Sequence, residues 1–490
     1  MHNYYNQNTQ NQYLIASIRA KREQETYLKR ICFLLIFGLV VGSFYLWEHR
    51  PVSLSTDKGF LALGILWVGF FPTIQYLLDR NRPPMPFLPL MGVFYVNSFA
   101  IPIFSSEKLG IGRWSQASVS IQSLQLTLIG LMGMVGVFYA TKLTIWKQIS
   151  PIKLPSYSLN KLINPIQTIV VLHIVFSYFI TLPSVDQLSN VMGNIGYGIF
   201  YIIWSRNKNL SLKNKLIVGS CFLFDLLIRF VGGSLANIGF IGTFMGIVIF
   251  YERKRIPIVL ISILLVFFMT FNIVKGEYRQ LTWFGGPYAN ASPIEKAQLF
   301  IDIAVKYYSN PNLNSKEDKE SASASAMSRT SHIILFSNII ADTPQPIPYW
   351  NGGSYLGFFS KFIPRALWPD KPSEGIGNEF GRRYRYIGKK DYSTTFNLPL
   401  IAEMYANFGA QGVQIGMALL GALFSLFEQK LNSPKMGSIE IVIGIGILYS
   451  FTSHEWNFSL MFGNVFTVSL VIYLIFRFIL RQQQAQKHVA

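Results

Sequence analysis

Apolar runs of the length that crosses a bilayer as a helix, about 20 residues, recur along the chain. Runs at 31–47, 59–78, 85–104, 120–145, 163–182, 190–204, 216–232, 235–251, 256–274, 398–427, 438–453 and 458–477 predict twelve spanning helices. The third is interrupted by proline and the sixth is short. Before the first run, the segment MHNYYNQNTQNQY is polar and rich in Asn and Gln, a composition of disorder. The basic stretch RAKREQETYLKR then leads into the first helix, the layout of a retained signal anchor.

The connections between runs test the count. With the N-terminus inside, the segments DRNRPP, WKQISPIKLPSYSLNK, SRNKNLSLKNK, YERKR and EQKLNSPK all lie on one side and all are basic. The short connections on the other side hold only Arg50, Lys58, Lys108 and Arg113. Lys and Arg concentrate on the cytoplasmic side of membrane proteins, so the asymmetry supports an even count with both ends cytoplasmic. The expected organisation is a polar cytoplasmic tail (1–30), nine helices (31–274), a large outer loop (275–397), three helices (398–480) and a cytoplasmic tail (481–490).

Composition agrees. Of 490 residues 51% are hydrophobic and 14% charged, against about 25% charged in soluble domains. The fold class expected is an all-α polytopic membrane protein with about twelve transmembrane helices and one large extracytoplasmic loop. The net charge of +19 is then a matter of loop orientation, not of nucleic-acid binding. Cys32 and Cys221 both sit in apolar runs, and with two cysteines a disulfide framework is excluded by count. The six histidines lack metal-ligand spacing, and no phosphate loop, dinucleotide fingerprint or nucleophile elbow is present. No metal and no cofactor are expected. With no soluble domain to hold a nucleotide, an activated substrate would have to arrive on the membrane.

The loop at 275–397 is too long for an idle connection. Ser292 and Glu295 have capping-box spacing and open an amphipathic helix, SPIEKAQLFIDIAVKYYSN. A second short helix follows Thr330 or Ser331. YLGFFSKF is too short to span, and Trp350 and Trp368 bracket it at headgroup level. In FIPRALWPDKP, Pro364, Pro369 and Pro372 stiffen an extended path that presents Arg365 and Lys371 at the surface. Arg382, Arg383 and Arg385 follow in FGRRYRY, and if that stretch is helical Arg382 and Arg385 share a face. Arg279 and Arg329 complete the set. Guanidinium groups suit bidentate binding of phosphate or pyrophosphate, so the cluster fits an anionic lipid-linked substrate. The alternatives are headgroup anchoring or pairing with the eleven Asp and Glu residues of the same loop.

Sugar transfer also needs a group to orient or deprotonate the acceptor hydroxyl. Glu379, Asp391, Glu403 and Glu455 are the outer carboxylates available. Glu403 and Asn407 share a helical face in AEMYANFG, where Tyr405 and Asn407 are candidates for sugar hydroxyls and Glu403 is equally a structural partner for a loop arginine. His454, in the outer turn SHEWN, is a candidate proton shuttle or sugar ligand, or part of an interfacial turn. Arg229 lies inside a spanning segment, where a charge is costly and functional by default, with Asp225 one turn earlier as its partner. His173 reads as a satisfied packing residue.

GGSYLGFFSKFIPRALWPDKP, STTFNLPLIAEMYANFGAQGVQIGM and KGEYR resemble the O-antigen polymerase family, the Wzy-type polymerases of oligosaccharide repeat units. The local match covers about 60 residues; the remainder agrees in topology. The resemblance implies a metal-independent membrane glycosyltransferase of GT-C-like architecture in the bacterial inner membrane. Its substrate would be an undecaprenyl-pyrophosphate-linked oligosaccharide, and a chain-length regulator and a flippase would be its partners, besides membrane lipids. By motif, Arg365 and Arg279 fall on pyrophosphate and Glu403 on the acidic position. Family members often carry arginine in a Gly-Ser-Arg-like stretch where VGGSLANIG has Leu235; either Arg229 takes that role or it is absent. The competing functions are an O-antigen ligase, a transporter or flippase of lipid-linked sugars, and an assembly scaffold.

Overall fold

Within lipid each backbone polar group must find its partner in the chain, and a helix does this inside one segment. The apolar runs accordingly fold as helices, with no strand among the described residues. The computed structural model describes residues 2–105, 115, 118–180, 185–233, 235–283, 285–310, 330–360, 363, 368, 375–452, 454–463, 465, 469, 472, 473, 475–477, 479 and 481. Arg329, Arg365 and Lys371, three of the candidate cations, lie outside the described residues.

Among the described residues, nine α-helices precede the long connection: α1 (His2–Glu48), α2 (Thr56–Leu78), α3 (Phe87–Tyr95), α4 (Ile121–Leu143), α5 (Ile163–Tyr178), α6 (Val185–Arg206), α7 (Leu212–Val231), α8 (Leu235–Arg253) and α9 (Ile258–Thr282). The connection carries α10 (Pro293–Ser309), α11 (His332–Asp342), α12 (Leu356–Ser360) and α13 (Ile376–Arg383). Then come α14 (Leu400–Leu431), α15 (Ser438–Tyr449) and helical residues from Phe458 onward. Among the described residues, eight helical segments are long and apolar enough to cross a membrane: 22–48, 56–78, 87–104, 121–143, 159–178, 235–253, 258–282 and 400–431. The chain is a helical membrane protein. α9 shows why: Val259 and Met269 are 74% and 71% exposed. Such a surface is a liability in water and an ordinary outer face in lipid.

Two boundaries differ from the sequence reading. The N-terminal tail continues as helix from His2, because neither Gly nor Pro interrupts the chain before Gly38. α9 runs on to Thr282, so KGEYR forms its last turns and not the opening of the loop. There the Tyr278 hydroxyl donates to the Val231 carbonyl, and Arg279 Nε donates to the Gly233 carbonyl at 2.9 Å. These carbonyls stand at the C-terminal end of α7, where cations and donors are favoured.

The capping box at Ser292 and Glu295 forms as expected, with both reciprocal hydrogen bonds. α13 ends differently. Arg385 adopts φ 63°, its N–H donates to the Arg382 carbonyl, and the Tyr386 N–H donates to the Gly381 carbonyl. That pair of bonds is a Schellman stop. Arg385 therefore leaves the helix and does not share a face with Arg382.

α4 and α14 form the central pair. Their backbones touch at Gly421, where an added Cβ would lie 2.2 Å from the Met134 carbonyl oxygen. α14 itself is two helices joined at a break, with Phe408 at φ −136° and Gly409 at φ 63°, ψ −150°. Only glycine enters that second region at low cost. Gly421→Leu should force α4 and α14 apart and cost about 1–3 kcal/mol. A lowered midpoint in thermal unfolding of the detergent-purified protein would record it, and an unchanged midpoint would contradict the packing.

Candidate functional site

The break in α14 organises the site. Glu403, one turn before it, is fully buried. Its Oε1 accepts from the Ser354 hydroxyl at 2.7 Å and its Oε2 from the Phe458 backbone N–H at 2.6 Å. Asn407 is equally buried and equally occupied. Its Nδ2 donates to Ser354 Oγ and to the Glu403 carbonyl, both at 2.8 Å, and its Oδ1 accepts from the Gly352 N–H at 2.9 Å. The helix break frees the Ala406 carbonyl, which accepts the Trp350 N–H at 2.9 Å. The predicted helical pairing of Glu403 and Asn407 is present, but Asn407 faces the loop segment 350–355 and has no free group for a sugar. Tyr405 is buried too, its ring 5.9 Å from that of Phe336 and 6.4 Å from that of Tyr349.

The turn after α15 closes the other side. The Leu400 N–H donates to the His454 carbonyl at 3.0 Å, so the start of α14 is pinned to this turn. His454 is not an exposed interfacial residue. It is 1% exposed, with Nδ1 3.1 Å from the Tyr95 hydroxyl. Burial pushes its pKa down to about 3, so the ring is neutral at physiological pH. Glu455, next in the chain, is 39% exposed, and its Oε2 lies 4.0 Å from His332 Nε2. Burial lowers His332 to about 4 and raises Glu455 above the usual carboxylate range. A neutral imidazole beside a carboxyl group with a raised pKa is suited to proton transfer.

A basin of about 280 Å³ opens between Glu379, Arg382, Arg383 and Lys389. Three cations against one carboxylate leave it positive. Arg382 Nε donates to Asn378 Oδ1 at 2.9 Å, and its guanidinium stacks 4.3 Å from the Tyr392 ring. Arg383 donates to the Pro348 carbonyl at 2.6 Å and lies 5.1 Å from the Trp350 ring. Through Trp350 the basin is joined to Ala406 and hence to the Glu403 cluster. Arg279 stands elsewhere, against Gly233 and 4.4 Å from the Trp283 ring. Asp391 is the cap of a turn, accepting from the Ser393 and Thr394 N–H groups at 3.0 and 2.9 Å. The Thr394 hydroxyl, together with these N–H groups, holds its pKa down at about 2, which disqualifies it as a base at neutral pH.

Arg229 has the partner that its spacing suggested. Its Nε and Nη2 meet the two Asp225 oxygens at 2.7 and 3.2 Å, and Nη2 also donates to Asn190 Oδ1 at 3.0 Å. Asp225 in turn meets His173 Nε2 at 3.2 Å and the Tyr178 hydroxyl. His173 is satisfied, as read, but inside a charged network and not an apolar face. Gly193 makes room for it: an added Cβ would lie 2.3 Å from the His173 ring. Among the described residues no cluster of His, Cys, Asp or Glu could hold a metal ion.

Ser354, Lys389, His332 and Tyr95 were missed by sequence reasoning. Only Lys389, four residues beyond Arg385, carried a signal that charge counting could have found.

Ser354→Ala and Asn407→Leu should each destabilise the protein by about 1–3 kcal/mol, because each leaves a buried polar partner unpaired. Their double mutant should lose less than the sum, by about 0.5–3 kcal/mol, in a thermal-unfolding cycle. Strict additivity would show that the two act separately. The Asp391 turn is stabilised above the ordinary carboxylate pKa and loses that support as pH falls through about 2. At pH 7.5, Asp391→Ala should speed tryptic cleavage after Lys389 and Lys390, and unchanged cleavage would show the carboxylate is idle.

No curated protein and no solved structure matches the chain. A family model does, over residues 166–487, from α5 to the last helix, and so takes in the Arg229 network, the loop basin and the Glu403 cluster. The chain belongs to that family, a domain of unknown function named DUF8712.

Proposed function

We propose that the protein polymerises undecaprenyl-pyrophosphate-linked oligosaccharide repeat units at the outer face of the bacterial inner membrane, as a GT-C-like glycosyltransferase of the O-antigen polymerase type. The observation that carries this reading is the positive basin of Arg382, Arg383 and Lys389, tied through Trp350 to a buried carboxylate cluster at a helix break. Twelve spans follow if α6, α7, α15 and the last helix cross as well. The even count keeps both ends cytoplasmic and puts the connection from α9 to α14 outside.

In the reaction, an acceptor hydroxyl attacks the anomeric carbon of the lipid-linked chain. The new glycosidic bond forms as the bond from that carbon to the diphosphate breaks. The diphosphate leaves with the bonding electron pair, and cations placed where that charge develops lower the barrier. Arg382, Arg383 and Lys389 supply them, with Arg365 and Lys371 from the proline-rich segment. Glu455, half-buried and with a raised pKa, takes the hydroxyl proton; the neutral His332 imidazole lies 4.0 Å from it. Glu403 is the positioning residue. With both oxygens held by Ser354 and Phe458, it fixes the loop against the turn that carries Glu455.

Arg365→Ala and Arg382→Ala should each cut chain extension about 100-fold or more, with membrane insertion intact. Glu455→Gln should reduce the rate by a similar factor. The measurement is a gel ladder from purified protein and lipid-linked repeat units. Polymer of normal length from both arginine variants would refute the reading, and transfer only to a lipid A core acceptor would make the protein a ligase.

A further inference from the structure

We propose that a second cavity, between α6, α7, α8, α15 and the helical residues after the 454–458 turn, seats a neutral, hydroxyl-rich sugar ring of the acceptor glycan. The inference rests on the glycosyl-transfer reading above and adds a subsite to it. The cavity holds about 490 Å³, within the range of small-molecule sites. Its polar lining includes Asn190, Asn194, Asn237, Arg229 and Ser450, and Trp456 adds an aromatic side chain.

Three features select the ligand. Asparagine amides offer both donors and an acceptor, the pairing that a sugar hydroxyl needs, since a hydroxyl is donor and acceptor at once. The Asn194 Oδ1 is buried without a hydrogen-bond partner among the described residues, which is unusual for a native interior, and a turn of that amide into the cavity would let it accept from a hydroxyl there. Arg229 brings no net charge, because Asp225 binds its guanidinium through both oxygens. A diphosphate would find no uncompensated cation here, unlike in the Arg382 basin. This sets Arg229 apart from the cations proposed above to bind pyrophosphate.

The lining is also preset. His173 and Tyr178 hold Asp225, Ser189 and Ser177 hold His173, and Asp225 holds Arg229. Each side chain fixes the next before any ligand arrives, and preset polar groups lose little freedom on binding. The location fits an acceptor. The turn that places Trp456 on the cavity also carries Glu455 and gives its Phe458 N–H to Glu403.

The test uses full-length protein in nanodiscs with Cys32 and Cys221 replaced by serine and Asn194→Cys introduced. A charged methanethiosulfonate reagent reads its exposure. The probes are the lipid-linked oligosaccharide fraction from polymer-producing cells, the glycan released from it by mild acid, and undecaprenyl pyrophosphate alone. Both glycan-bearing probes should slow labelling at least about tenfold, as for a site held well above its Kd, and the bare carrier should not. Protection by the carrier alone, no protection at all, or a thiol that never labels would each overturn the subsite. Asn237→Leu, on the exposed rim, should raise the acceptor KM about tenfold, the size expected for one lost sugar contact, with kcat kept; an unchanged KM counts against the subsite. The ladder assay on the unmodified protein reports separately on glycosyl transfer. Polymerisation by that protein, with no protection of the thiol introduced by Asn194→Cys, rejects the subsite and spares the reaction; an inert protein rejects the reaction.

Discussion

A carboxylate removed from water must be met by fixed donors or it will not stay ionised and in place. Glu403 sits under that constraint. One donor is the Ser354 hydroxyl, from the long connection, and another is the Phe458 N–H, from the turn before the last helix. The need to satisfy one group therefore brings together three parts of the chain that are far apart in sequence. Asn407 repeats the arrangement one turn later, on Gly352 and Ser354. The site around them stands where it does because these bonds have few alternatives.

Two charged centres among the described residues solve opposite problems. Around Arg382 and Arg383 the cations outnumber the carboxylates, and cation–aromatic stacking on Tyr392 and Trp350 holds the guanidiniums without neutralising them. Around Arg229 the charge is matched by Asp225 and the polarity continues inward through His173. One arrangement keeps a field for an anion. The other keeps hydrogen-bonding capacity and removes the field. The substrate proposed above, a glycan neutral at one end with a diphosphate at the other, needs both.

Local features of this structure were legible in the chain. Ser292 and Glu295 announce their helix because a capping box is written within four residues, and Asp225 and Arg229 announce their pair because a helix brings i and i+4 together. The apolar runs marked each of the long, strongly hydrophobic helices for the same reason. The contacts that make the site were not legible. Ser354 meets Glu403 across 49 positions and Tyr95 meets His454 across 359, and no local spacing links either pair. The exit of Arg385 from its helix was hidden too, since the left-handed stop position is usually glycine and here is arginine. Asn407 was misjudged because its helical face was read correctly while the loop segment that covers that face could not be seen.

The break at Phe408 and Gly409 has one more implication. A helix interrupted there strands carbonyls on its first half, and the Ala406 carbonyl is capped by the backbone of the long connection through Trp350. The connection is thus a missing piece of the helix as much as an appendage to it. Excising it, or grafting it from a homologue without the matching turn, would leave the bundle with an open backbone end in a nonpolar medium. Changes to the sequence of the connection are tolerated only where they keep this joint intact.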